Sequence, residues 1–119
     1  MTIRSGAFCL LFAVLAAGAN TAGTWRLAYS TENGLPREAT LNLQVDGDRV
    51  AGTWSSDRGL ALIENGKISG NDIWFELVRK SNYEEIEIHF KGRIEGDTMK
   101  LTMQFGQRKP IEITARKAF

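Results

Sequence analysis

From residue 24 onward the chain alternates apolar and polar side chains with a period of two. In Trp25-Arg26-Leu27-Ala28-Tyr29, Leu41-Asn42-Leu43-Gln44-Val45 and Ile86-Glu87-Ile88-His89-Phe90 every second residue is large and apolar. A strand sends successive side chains to opposite faces, so this pattern predicts strands with one buried face. Eight such segments occur, at about 24–32, 38–45, 49–56, 60–69, 72–80, 83–95, 98–106 and 109–117. Between them stand Asn33-Gly34, Asp46-Gly47, Asp57-Arg58-Gly59, Gly70-Asn71-Asp72, Ser81-Asn82, Gly96-Asp97 and Gly106-Gln107. These residues supply the positive φ or the local side-chain capping that tight hairpins need. No segment has helical periodicity and no linker divides the chain. Many short strands with close turns predict an antiparallel sandwich or barrel.

Hairpin register follows from the turns. A two-residue turn at Ser81-Asn82 sets Leu77 opposite Ile86, Phe75 opposite Ile88 and Ile73 opposite Phe90. A second at Gly96-Asp97 sets Ile94 opposite Met99, Phe90 opposite Met103 and Ile88 opposite Phe105. Both put the apolar side chains of the shared strand on one face, and a one-residue slip in either would lose that agreement. An internal repeat reinforces the pattern. Gly66-Lys67-Ile68-Ser69-Gly70 leads into Ile73, Phe75 and Leu77, as Gly92-Arg93-Ile94-Glu95-Gly96 leads into Met99, Leu101 and Met103. One hairpin design is thus used twice. Gly52, Gly66 and Gly92 fall inside strands, where a sheet bends or bulges to close. The fold predicted is all-β: an eight-stranded antiparallel up-and-down barrel. An immunoglobulin-like sandwich stays open as an alternative, without its Cys-Trp-Cys hallmark.

Carried through every strand, the alternation gives a predicted interior. It runs through Trp25, Leu27, Tyr29, Leu41, Leu43, Val45, Val50 and Trp54, then Ile73, Phe75, Leu77, Ile86, Ile88, Phe90 and Ile94. It ends with Met99, Leu101, Met103, Phe105, Ile111 and Ile113. Each is worth roughly 1.5–3 kcal/mol when fully buried. Leu60-Ala61-Leu62-Ile63 is continuous, so the fourth segment is either buried on both faces or irregular.

The N-terminus departs from this pattern. Arg4 precedes an unbroken apolar run from Ala7 to Ala17, and Ala17-Gly18-Ala19 offers small residues at a cleavage position, with a later option after Ala22. This is the form of a signal peptide over residues 1–19, followed by a single barrel domain over 20–119. The apolar run is short for a bilayer span; a retained anchor is the alternative. Export to the periplasm or the extracellular space is expected. The mature chain would keep no Cys, so its stability must come from the core rather than from a disulfide.

Composition narrows the chemistry. The 119 residues carry 15 Lys and Arg against 14 Asp and Glu, which gives no basic field for nucleic acid. One Cys and one His exclude a Cys-based zinc site and a His-rich metal centre. The inward positions bear no His and almost no carboxylate, so general acid–base or triad chemistry lacks its parts. No catalytic residue, metal or cofactor is expected. Glu76, Glu87 and His89 share the outer wall, but three ligands on a convex sheet leave an ion exposed, and a solvated wall is the preferred reading.

The paired motifs Gly23-Thr24-Trp25 and Gly52-Thr53-Trp54 resemble the calycin superfamily, the lipocalins and avidins. In that resemblance the first-strand Trp packs at the closed end of the barrel beneath an Arg of the last strand. Trp25 and Arg116 are the matching residues for a cation–π cap. The stretch Asp48-Arg49-Val50-Ala51-Gly52-Thr53-Trp54-Ser55-Ser56 looks like the third strand of avidins, and the match implies that Trp54 and Ser56 face a ligand. Leu27 stands where avidins have an Asn, and their later biotin-stacking tryptophans have no counterparts after Trp74, so biotin itself is not implied.

Two functions are compatible with these residues. One is a lipocalin-like binding barrel that takes a small apolar ligand in or at its mouth, with Trp25, Tyr29, Trp54, Ser56 and Phe75 as candidate contacts. The other is a filled barrel, an inhibitor-like module that binds a protein partner through its outer face and loops. Trp74, Val78 and Leu35 are the candidate partner surface. Neither reading involves nucleic acid, or membrane insertion once the leader is cleaved.

Overall fold

A computed structural model describes residues 21–31, 33–80 and 84–118 of the chain. The leader, residues 1–19, lies outside these residues. The alternating segments form β1 (Gly23–Ser30), β2 (Pro36–Asp46), β3 (Arg49–Ser56), β4 (Gly59–Ser69), β5 (Asp72–Lys80), β6 (Glu85–Glu95), β7 (Thr98–Phe105) and β8 (Ile111–Lys117). Each strand pairs antiparallel with the next, and β8 returns to β1, closing an up-and-down barrel. A sandwich is thereby excluded. Closure removes the unpaired edges that an open sheet would expose.

The Gly96-Asp97 hairpin has the predicted register, with Ile94 opposite Met99 and Ile88 opposite Phe105. The β5–β6 pair does not. Leu77 lies opposite Ile88, Phe75 opposite Phe90 and Ile73 opposite Gly92. Lys80 is the last residue of β5 in register, facing Glu85, so the connection spans 81–84 rather than two residues. Ser81 and Asn82, the predicted turn, lie outside the described residues. The shift is by two, an even number, so the inward set is unchanged and only the cross-strand partners differ.

Register breaks occur in β3–β4, between Val50 and Thr53, and in β4–β5, between Glu64 and Lys67. Gly52 and Gly66 sit at these breaks. Gly52 has φ +149°, and a Cβ there would collide with the carbonyl oxygen of Asn42 on β2; one on Gly66 would collide with that of Val50. Strand backbones approach there more closely than a side chain allows. Gly92 keeps register with both Ile73 and Leu101, so no bulge forms there, but a Cβ on it would likewise collide with a backbone carbonyl oxygen, that of Lys100.

The β4 break also resolves the ambiguous run. Before it odd-numbered residues face inward, after it even-numbered ones, so Ile63 and Ile68 are both buried while Leu60 and Leu62 face solvent. The predicted interior is the core, extended by Ala39, Ile63, Ile68 and Ala115; Tyr29, Val45, Ile86, Phe105 and Ile111 are its partly buried margin. One end of the barrel is sealed. There the Ile68 N–H donates to the Asp48 carbonyl (2.9 Å), Ile94 N–H to Asn71 (2.7 Å) and Lys117 N–H to Asp97 (2.9 Å). Each short turn is thus laced to the strand beyond its own hairpin: β2–β3 to β4, β4–β5 to β6 and β6–β7 to β8.

Candidate functional site

The three tryptophans lie in three different places. Trp25 is fully buried at the sealed end, and its indole Nε1–H donates to the Thr21 carbonyl at 2.9 Å. Its cation is not Arg116. Inward positions on β8 are the odd-numbered Ile111, Ile113 and Ala115, so Arg116 projects outward and is exposed. Lys117, opposite Trp25 in register, brings Nζ to 5.8 Å from the ring centroid. The closed-end aromatic is therefore covered by the neighbouring residue of opposite parity.

Trp54 lies near the middle of the barrel in an aromatic series. Its ring is 6.4 Å from Tyr29 and 5.1 Å from Phe90, and Phe90 stacks on Phe75 at 4.6 Å with planes 10° apart. Offset and stacked pairs of this kind fill volume and hold each other in place. Below the series fully buried side chains, among them Ile73, Met99 and Leu101, occupy the interior. Above it a cavity of about 540 Å³ opens toward the end bearing the longer connections. Trp54, Phe90, Leu77, Ile88 and Met103 form its floor, and Tyr29, Ile86, Phe105 and Ile111 its upper wall. The volume falls within the range of small-molecule sites.

Local sequence explains why this end is open. The β1–β8 ladder pairs only Trp25–Ala28 with Thr114–Lys117, so Tyr29 and Ile111 line the cavity beyond the last rung. The β1–β2 connection is held by its own hydrogen bonds. Thr31 N–H donates to the Leu35 carbonyl at 2.9 Å, and the Thr31 hydroxyl accepts from Leu35 N–H at 3.1 Å. Ser56, at the rim, accepts the Arg58 N–H on its hydroxyl at 3.2 Å, closing the 57–58 turn.

Of the five residues expected to face a ligand, Tyr29, Trp54 and Ser56 line this cavity, and Trp25 and Phe75 do not. Trp25 is at the opposite end. Phe75 is shielded from the space by its stack with Phe90. Alternation assigns a side chain to the inner face but not to a height along the barrel axis, which is what separates these two from the others.

On the outer wall Trp74, 40% exposed, lies between Lys67 and Lys91. His89 faces Glu76 across the hairpin, with Nδ1 3.7 Å from Glu76 and Nε2 3.5 Å from Glu87. Asn65, at φ +53° in the β4 break, donates to Glu76 at 3.4 Å. Val78 is half-buried opposite Glu87, and Leu35 is exposed on the cavity rim, so the three residues expected to form one partner surface are dispersed. Among the described residues the most exposed large apolar side chains are instead Leu60 and Leu62 of β4. Their signal was the unbroken Leu60–Ile63 run, whose outward half needs the break at Asn65-Gly66 to be recognised.

No family model and no curated protein matches the chain. Among solved structures, the fold is similar to that of apo lipid binding protein 8 of Caenorhabditis elegans. The two share 15% identity at a TM-score of 0.54, over 83% of this chain and 96% of the other. At that identity the likeness concerns the fold alone, the closed eight-stranded antiparallel up-and-down barrel.

Proposed function

We propose that this protein is an exported binding barrel, not an enzyme, which holds a small apolar ligand in the cavity above Trp54. The observation that carries this reading is the half-filled interior. A barrel of eight strands is just wide enough either to be packed by its own side chains or to hold one small ligand. Here packing ends at the Tyr29–Trp54–Phe90 series and leaves an apolar space open to the mouth. An apolar floor lets a ligand trade water for van der Waals contact, at about 25 cal/mol per Å² of apolar surface removed from water. The structural neighbour is by its own name a lipid binding protein, which supports the same class of ligand. The apolar run before β1 supports export.

Native mass spectrometry of the protein, purified from an exporting host without detergent, tests both parts. The expected spectrum shows a chain beginning after Ala19, carrying a small apolar species that is lost on denaturation. A chain retaining its first 19 residues would overturn cleavage of the leader and favour the retained anchor. The protein-binding alternative has one observation in its favour, the exposure of Leu60 and Leu62, at 69% and 66%, on the outer wall. It predicts loss of partner binding, with the cavity unaffected, when both are made polar.

A further inference from the structure

The cavity has an apolar floor but a charged rim, and one sign is in excess. Arg37, Arg58, Arg79, Lys80, Arg108 and Lys109 line its upper part, against two carboxylates, Glu38 and Asp57. Two of the cations are engaged within the protein: Arg37 is 3.6 Å from Asp57, and the Arg108 guanidinium lies 5.1 Å from the centre of the Phe105 ring. Of the other four, Arg58, Lys80 and Lys109 are exposed, and Arg79 is the one drawn into the barrel wall. It continues the inward stripe Ile73, Phe75, Leu77 on β5, lies opposite Ile86 and is half-buried, with no carboxylate within ion-pair distance among the described residues.

A guanidinium drawn partly out of water loses hydration that an unpaired position does not return. Its planar fork is suited to two parallel hydrogen bonds with a carboxylate or similar oxyanion. The inward neighbours of Arg79, Leu77 and Ile86, are both apolar lining residues, so the charge stands where the apolar wall meets solvent. Resting on the reading of this cavity as a binding site, we propose that its ligand is an amphiphile with an anionic head. The tail lies against Trp54 and Phe90, and the head sits at the rim on Arg79, in the field of Arg108 and Lys109. The reverse orientation would bury an anion on an aromatic and aliphatic floor.

The test compares decanoate with decanol, which have the same chain length and differ in the head group, by calorimetric titration of the whole protein at neutral pH. Wild-type protein is expected to bind decanoate about tenfold or more tightly than decanol, the scale of a hydrogen bond to a charged group. Added salt should narrow the gap. Arg79→Gln should bring decanoate down to the level of decanol, Arg79→Lys should retain part of the preference, and Arg93→Gln, on the outer wall, should leave it intact. A thermal melt of each variant establishes that it is folded. Equal wild-type affinity for the two probes, or a preference that survives in Arg79→Gln, overturns the anionic head while leaving the cavity reading in place. Binding of neither probe overturns both.

Discussion

At Gly52 the backbone of β3 passes so close to β2 that a Cβ would occupy the position of the Asn42 carbonyl oxygen, at a φ of +149° that side chains avoid. Gly34, in the β1–β2 connection, also has positive φ, +79°, but its surroundings are open. The two positions separate steric from conformational cost. Gly52→Ala is expected to lower stability by about 2 kcal/mol or more, and Gly34→Ala by about 1 kcal/mol, read as shifts in the urea midpoint. Equal shifts would mean that β2 and β3 are not in the close contact described. Trp54 was legible because it carries both the alternation and the Gly-Thr-Trp motif. Arg79 was not, because a cation at the end of an apolar stripe reads as a strand emerging into solvent. Only the height of the cavity floor shows that the stripe still borders an interior at that point. Arg116 was assigned by family resemblance against its own strand parity, and parity decided the matter in favour of Lys117.

Among the elements, β4 departs most from simple alternation. Its break at Asn65-Gly66 changes which parity faces the core, so Leu62 and Ile63, adjacent and both aliphatic, have opposite environments. Leu62→Thr should change stability by no more than about 0.5 kcal/mol, as exposed substitutions do. Ile63→Ala should cost about 2–5 kcal/mol through the cavity it leaves. The reverse ranking in chemical denaturation would place the break elsewhere in the strand. Strand number, order and inward faces were readable because Gly and Asn mark the turns and period-two patterning is conserved along seven strands. The β5–β6 register was not. A shift of two preserves every facing, so hydrophobicity carries no information about it.

On the scale of the molecule, the two ends of the barrel are built to different plans. Turns of two residues and backbone hydrogen bonds to the strand beyond each hairpin seal the end around Trp25. Longer connections and a β1–β8 ladder that stops at Ala28 leave the other end open above Trp54. Composition could suggest a barrel with a substantial core, but whether that core reaches both ends depends on side-chain heights that no one-dimensional pattern contains. The asymmetry also supplies its own probes. Trp25 reports on the sealed end, Trp54 on the cavity floor and Trp74 on the outer wall. The most direct test of the binding reading is therefore to follow the three indole N–H signals by ¹H–¹⁵N NMR while decanoate is added to the protein. A saturable shift of the Trp54 signal, with Trp25 and Trp74 nearly stationary, is the result expected of a ligand in the cavity. A response confined to Trp74, or none at Trp54 while the ligand binds, would place the ligand elsewhere and contradict the account.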